Sequence, residues 1–181
     1  MNISKFTQKS VEILNNLEKI AYDFGAQEIA QEHLLYGMLT VEDSLIKKLI
    51  EKMEIDSDVF LAQVEGAVRK RPQVQGGQVY IGQDLNKVLV YAENEAKALG
   101  DEYVSVEHLF LSLLRKPSKE IKQLFHDFQI DRERFLQALS KVRGNQKVTT
   151  DNPEAVYDSL NKYGYDLVER AREKKLDPVI G

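Results

Sequence analysis

The feature that most constrains this chain is that it contains itself twice. Shifted by 75 positions, residues 6–68 lie over residues 81–143 without a gap. Leu14 falls on Leu89, Glu18 on Glu93, Ala21 on Ala96, Gly25 on Gly100, Leu39 on Leu114 and Leu49 on Leu124, while "EHLL" at 32–35 meets "EHLF" at 107–110 and "IDSDVFL" meets "IDRERFL". A match over about 60 residues marks two copies of one supersecondary unit, each too small to bury its apolar face alone. The two copies are therefore expected to pack on each other about a pseudo-twofold axis.

Each unit reads as four helices, so the expected fold class is all-α with eight helices. In the first unit Phe6, Thr7 and Val11 suit a hydrophobic staple around a threonine N-cap, and Leu14, Leu17, Ala21 and Phe24 keep one apolar face until Gly25. Helices follow at about 31–40, 43–53 and 56–69, with Asp43 and Asp56 as expected N-caps. The second unit repeats the plan at about 84–99, 105–115, 117–128 and 131–143, with starts at Ser105 and at Pro117 or Ser118 and stops at Gly100 and Gly144. Almost no strand pattern competes. "KRPQVQGGQVYIG" between the units, with Pro72 and Gly76-Gly77, is an extended crossing. The expected domain is thus 1–144 (repeats 6–68 and 81–143), followed by a polar linker at 145–154 and a further helix from about 155. The ending "KLDPVIG" suggests a boundary inside a longer protein.

Composition removes several function classes. Basic and acidic residues (25 and 29, net −4) are interspersed, which argues against a general affinity for nucleic acid or anionic lipid. No apolar run approaches the roughly 20 residues of a membrane span, and the start lacks the apolar core of a signal peptide. With zero cysteines there is no disulfide, thiolate metal site or thiol catalysis, and a reducing, intracellular location is expected.

The enzyme motifs are missing too: no G-x-x-x-x-G-K-[ST], no G-x-G-x-x-G and no H-E-x-x-H. His33 and His108 with Glu32 and Glu107 form a conceivable metal set, but nothing in the sequence places them within bonding distance. The plainer reading puts both glutamates in the first turn of a helix, favoured by the macrodipole, and both histidines half-buried beside the core. An intermediate reading brings the two helix starts to one groove, mixed apolar and acidic, suited to exposed polypeptide. Arg69, Lys70 and Arg71 read as the solvated, dipole-matched end of a helix.

With these pieces assembled, the doubled "EHLL"/"EHLF" units, "FTQKS", "LGDEYVSVEHLF" and "YGYDLVERAREKKLDPVIG" resemble the N-terminal domain of Clp-type AAA+ chaperones over essentially the whole chain. "RKRPQV", "QKVTTDNPE" and "KYGYDL" most resemble the ClpB, or disaggregase, branch, and the tail resembles the opening of a first ATPase module. The resemblance implies a double Clp-N domain tethered to ATPase modules that bind ATP and magnesium in a homohexameric ring. It implies engagement of unfolded or aggregated protein, a DnaK-type chaperone system as partner, and a cytoplasmic setting. The domain itself would carry no cofactor, no catalytic residue and no metal, and the fragment alone would be a monomer. Substrate-contact positions carried over by this resemblance are Thr7, Asp101 and Glu107, with Glu32 as the repeat-one partner of Glu107. Adaptor docking, as in protease-linked branches, or a passive cap on the ring are the alternatives. In those branches paired threonines and glutamates take phosphorylated arginine. Here Gly82 stands opposite Thr7, which argues against that ligand.

Overall fold

Thr7 holds an extended backbone (φ −68°, ψ 161°), and its hydroxyl accepts the Ser10 N–H, which starts the first helix. This cap opens a computed structural model that describes residues 3–74, 76–155 and 157. The first unit comprises α1 (Gln8–Asp23), α2 (Gln31–Thr40), α3 (Leu45–Lys52) and α4 (Ser57–Arg69). The second comprises α5 (Gln83–Ala98), α6 (Val106–Arg115), α7 (Lys119–Asp127) and α8 (Arg132–Arg143). The all-α duplication is as expected. Any helix from about 155 onward lies outside the described residues beyond 157.

Helix ends repeat along with helix starts. After α1, Gly25 at φ 72° turns the chain, its N–H donating to the Tyr22 carbonyl and that of Ala26 to Ala21. After α5, Gly100 at φ 72° does the same, its N–H reaching Lys97 and that of Asp101 reaching Ala96. Both are Schellman closures, and the left-handed backbone is what makes glycine the residue of choice there. One expected cap is corrected: Asp43 sits in a left-handed turn (φ 55°), and Ser44 caps α3 by accepting the Lys47 N–H. The serine wins because Asp43 is consumed by the turn that precedes it.

The expectation of almost no strand also needs refining. Strands β1 (Glu28–Ile29) and β2 (Tyr80–Ile81) pair in parallel, Ile29 opposite Ile81, and a bridge joins Phe6 to Val104. These are one contact made twice, because Ile29 and Val104 are 75 apart, as are Phe6 and Ile81. The lead-in of each unit pairs with the segment after the first helix of the other. Such an exchange is what a pseudo-twofold axis produces, and two residues per strand leave no periodicity to detect.

Helices α2 and α6 form the centre. Leu34, Leu35, Met38 and Leu39 are buried in one, and Leu109, Phe110, Leu111 and Leu113 in the other. Phe110 stacks on Phe135 (4.5 Å), and Phe60 meets Phe128 edge-on across the repeats (4.9 Å, 89°). The symmetry is broken at Gln31, which aligns with Val106. Its buried amide donates to the carbonyls of Asp84 and Lys116 (both 2.9 Å) and accepts the Ser118 N–H (2.8 Å), so one side chain ties α2 to the start of α5, the end of α6 and the start of α7.

Candidate functional site

The duplicated histidines are explained by the helix starts. His33 Nδ1 accepts the Ala30 N–H (2.8 Å) and His108 Nδ1 accepts the Ser105 N–H (2.7 Å), so each ring reaches back to the N-cap residue three positions earlier, as a glutamate does in a capping box. This corrects the half-buried placement, since both rings are fully buried. It also leaves neither Nδ1 free for a metal. At Nε2 the copies diverge. His108 Nε2 lies 2.7 Å from Asp101 Oδ2, whereas the residue aligned with Asp101 in the first unit is Ala26, and His33 Nε2 has no hydrogen-bond partner among the described residues. Burial first, and then the charge of Arg71, push His33 down to about 4.

Around His108 lies a buried ionic cluster. The Arg143 guanidinium donates to Asp101 Oδ1 and to Glu107 Oε2 (3.1 Å), and the Val148 N–H also donates to Asp101 Oδ1 (2.9 Å). Burial alone would raise the Asp101 carboxyl, but hydrogen bonds from His108, Arg143 and Val148 outweigh it and hold the group at about 2. The Tyr157 hydroxyl donates to Glu107 Oε2 (3.3 Å), and burial plus the adjacent carboxylate push that phenol well above its ordinary range. Glu107 Oε1 has no hydrogen-bond partner among the described residues.

Glu32 is equally buried but placed elsewhere. It lines a cleft of about 610 Å³ with Gln63, Lys70, Lys119, Glu120 and Leu124, and Thr7, Asp101 and Glu107 are not part of that cleft. Its nearest cation is Arg71 Nη1 at 3.8 Å, and burial raises its carboxyl. Glu32 and Glu107 share no side-chain partner among the described residues, so the expected single groove is divided in two. The basic run divides as well. Arg69 pairs with Glu65 (3.1 Å) and lies over the Phe24 ring, Lys70 is exposed, and Arg71 turns inward to Glu28 (3.2 Å) and Glu32. Each repeated glutamate therefore already faces an arginine of its own chain.

Thr7, Asp101 and Glu107 are all buried, and the polar segment after α8 is part of the reason. Beyond Gly144 the chain turns back over the junction of the repeats. The Glu102 N–H donates to the Val148 carbonyl (2.8 Å), the Gln8 N–H donates to the Asp151 carbonyl (2.7 Å), and Lys147 Nζ reaches the Leu99 carbonyl (2.7 Å). Val148 is completely enclosed. What reads as a linker is a strap held largely by main-chain hydrogen bonds, which leave no hydrophobic period in the sequence.

Comparison with known proteins settles the family. Residues 5–128 match the model described as the Clp repeat (R) N-terminal domain. The chain belongs to the Clp repeat N-terminal domain family. It is 44% identical over 187 aligned positions to the chaperone protein ClpB of Nitratidesulfovibrio vulgaris, covering 100% of this chain and 22% of that one. The chain thus spans about a fifth of the ClpB length it matches. In fold it resembles the Hsp104 N-terminal domain from Candida albicans (TM-score 0.71, 20% identity, 81% of this chain and 97% of the other). It also resembles a ClpV N-domain solved in complex with a VipB peptide (TM-score 0.62, 20% identity, 76% and 86%). No helix among the described residues is long and apolar enough to cross a membrane.

In this Clp repeat domain the sequence points to Thr7, Asp101, Glu107 and Glu32 but passes over Arg143, Val148 and Tyr157, and it reads Arg71 as a solvated helix end where the structure turns it inward to Glu28 and Glu32. Arg143 aligns with Val68, and that loss of symmetry was the available signal: a cation on the buried face of a helix requires buried anions. Gly82 has a steric reason. A Cβ there would collide with the Glu28 carboxylate and lie 2.8 Å from its Cγ, while Arg71 restrains Glu28. Gly82→Thr is therefore expected to cost about 1–3 kcal/mol in urea unfolding, as overpacking does, and most of that cost should vanish in a Glu28→Ala background. An equal cost in both backgrounds would show that Glu28 is not the obstacle.

Proposed function

We propose that this domain binds unfolded or aggregated polypeptide for an ATP-dependent disaggregase, at the repeat junction built by Thr7, Asp101 and Glu107, with the Glu32 cleft as a separate polar subsite. One observation carries the reading: that junction already holds an irregular piece of chain, the strap, through main-chain hydrogen bonds that are indifferent to sequence. A surface that receives backbone by the Gln8 and Glu102 N–H groups and the Asp101 carboxylate suits clients with little in common except exposed chain. In the whole protein the expected setting is a homohexameric ATPase ring using ATP and magnesium, in the cytoplasm, with a DnaK-type system. Six weak sites on one ring then gain avidity through effective concentration.

Docking of a defined adaptor peptide is the second reading, supported by the ClpV N-domain solved with a VipB peptide. An amide NMR titration of this chain with reduced, carboxymethylated α-lactalbumin, a protein held unfolded, separates the two. Shifts gathered at Thr7, Gln8, Asp101 and Glu102 with weak affinity support the client site. No shifts at this face, or binding restricted to one peptide sequence, would replace it with the adaptor reading.

A further inference from the structure

We infer that the strap, residues 145–155 anchored at Val148 and Tyr157, is a resident occupant of the client site, and that a client gains the site by displacing it and taking over its main-chain register. The inference rests on the client-site reading and adds what controls it. Every group assigned to the site is engaged by this segment or lies beside such a group. Asp101 accepts the Val148 N–H, Glu102 donates to the Val148 carbonyl, Gln8 donates to the Asp151 carbonyl, and Tyr157 donates to Glu107. Thr7, next to Gln8, is fully covered, and Glu107 likewise.

The strap is constructed as a replaceable ligand. "NQKVTTDNPEA" has a single large apolar side chain, Val148, and its other residues here are polar or small. Val148 is enclosed, Thr149, Thr150, Asp151 and Asn152 are exposed, and Pro153 and Glu154 are buried again, so short buried stretches at either side of an exposed one, with a few backbone bonds, hold the segment. The first unit shows the contrast. The inter-repeat chain also lies against the turn after its helix, Val74 N–H donating to the Gly25 carbonyl, but it must run on through β2, which pairs with β1, into α5. The strap follows the last helix of the duplication, and α1–α8 keep their mutual contacts without it.

The occupant also specifies the ligand. A client segment that competes well is extended, places a branched apolar residue where Val148 sits, and offers a free carbonyl three residues later to the Gln8 N–H. Proline at the Val148 position is disfavoured, because the Asp101 carboxylate would lose its donor.

The decisive variant is Val148→Asp, which removes the apolar anchor and sets a like charge beside Asp101. In the 181-residue chain its Gln8 and Glu102 amides should exchange with solvent much faster than in the parent, while those of Leu35 and Leu109 in α2 and α6 stay protected. Carboxymethylated α-lactalbumin should then bind about tenfold more tightly, the gain expected if the parent exposes its site about one-tenth of the time. Tyr157→Ala, at the other anchor, should shift affinity in the same direction. Equal affinity of parent and both variants, with shifts still at Thr7 and Glu102, would sink the strap as occupant and leave the client site standing. Absence of binding at this face in all three would overturn both readings.

Discussion

Replacing Arg143 with methionine is expected to lower the unfolding free energy by about 3–5 kcal/mol, because the change strands two buried carboxylates, Asp101 and Glu107, that share this guanidinium. The volume is nearly kept, so the loss is electrostatic and not a packing defect. Urea denaturation reads the effect, and the double variant Arg143→Met/Asp101→Asn should recover part of it, since one of the stranded charges is then gone. A single-variant cost under about 1 kcal/mol would mean the cluster is hydrated. The same cluster sets an acid limit. The Asp101 carboxyl is depressed from about 4 to about 2, so its contribution is present above the ordinary value and disappears as pH falls from about 4 towards 2.

The second large effect concerns His33 and lies at milder pH. The native ring must stay neutral, because Nδ1 accepts the Ala30 N–H and burial together with Arg71 disfavours a charge. Its folded value near 4 is below the ordinary 6.5, so between these limits the unfolded chain binds a proton that the native state refuses. Stability therefore falls as pH drops from about 6.5 to 4, by about 3 kcal/mol in all. His33→Gln keeps an acceptor for the Ala30 N–H but does not titrate. Thermal unfolding followed across this range should show a flatter profile for the variant, with the two proteins converging in acid. Parallel profiles would place the acid sensitivity elsewhere.

The legible and illegible parts of this domain separate by the range of the interaction. Helix starts and stops such as Thr7, Asp56, Gly25 and Gly100 are local, decided within four or five residues, and they could be read directly. Asp43 was misread because two neighbouring residues can each cap a helix, and only the backbone turn shows which one does. The histidine caps were missed as caps although the interaction is local, since histidine at this position is an unusual substitute for glutamate. Arg143 and the strap were out of reach for a different reason. Their partners are 36 residues away along the chain for Arg143 and Glu107 and as many as 143 for Gln8 and Asp151, and hydrogen bonds through backbone impose no pattern on side chains.

By itself the sequence determined the duplication, the eight helices and the apolar centre, because a repeated 3.6-residue pattern with capped ends can be buried only by pairing its two copies. The tertiary structure alone decided which of two equivalent histidines acquires a carboxylate partner, and that a polar segment closes over Thr7, Asp101 and Glu107. The physical reason is that equal local sequences become unequal only through their distant neighbours: Asp101 and Arg143 surround one histidine, while Ala26 and Val68 stand at the same places beside the other.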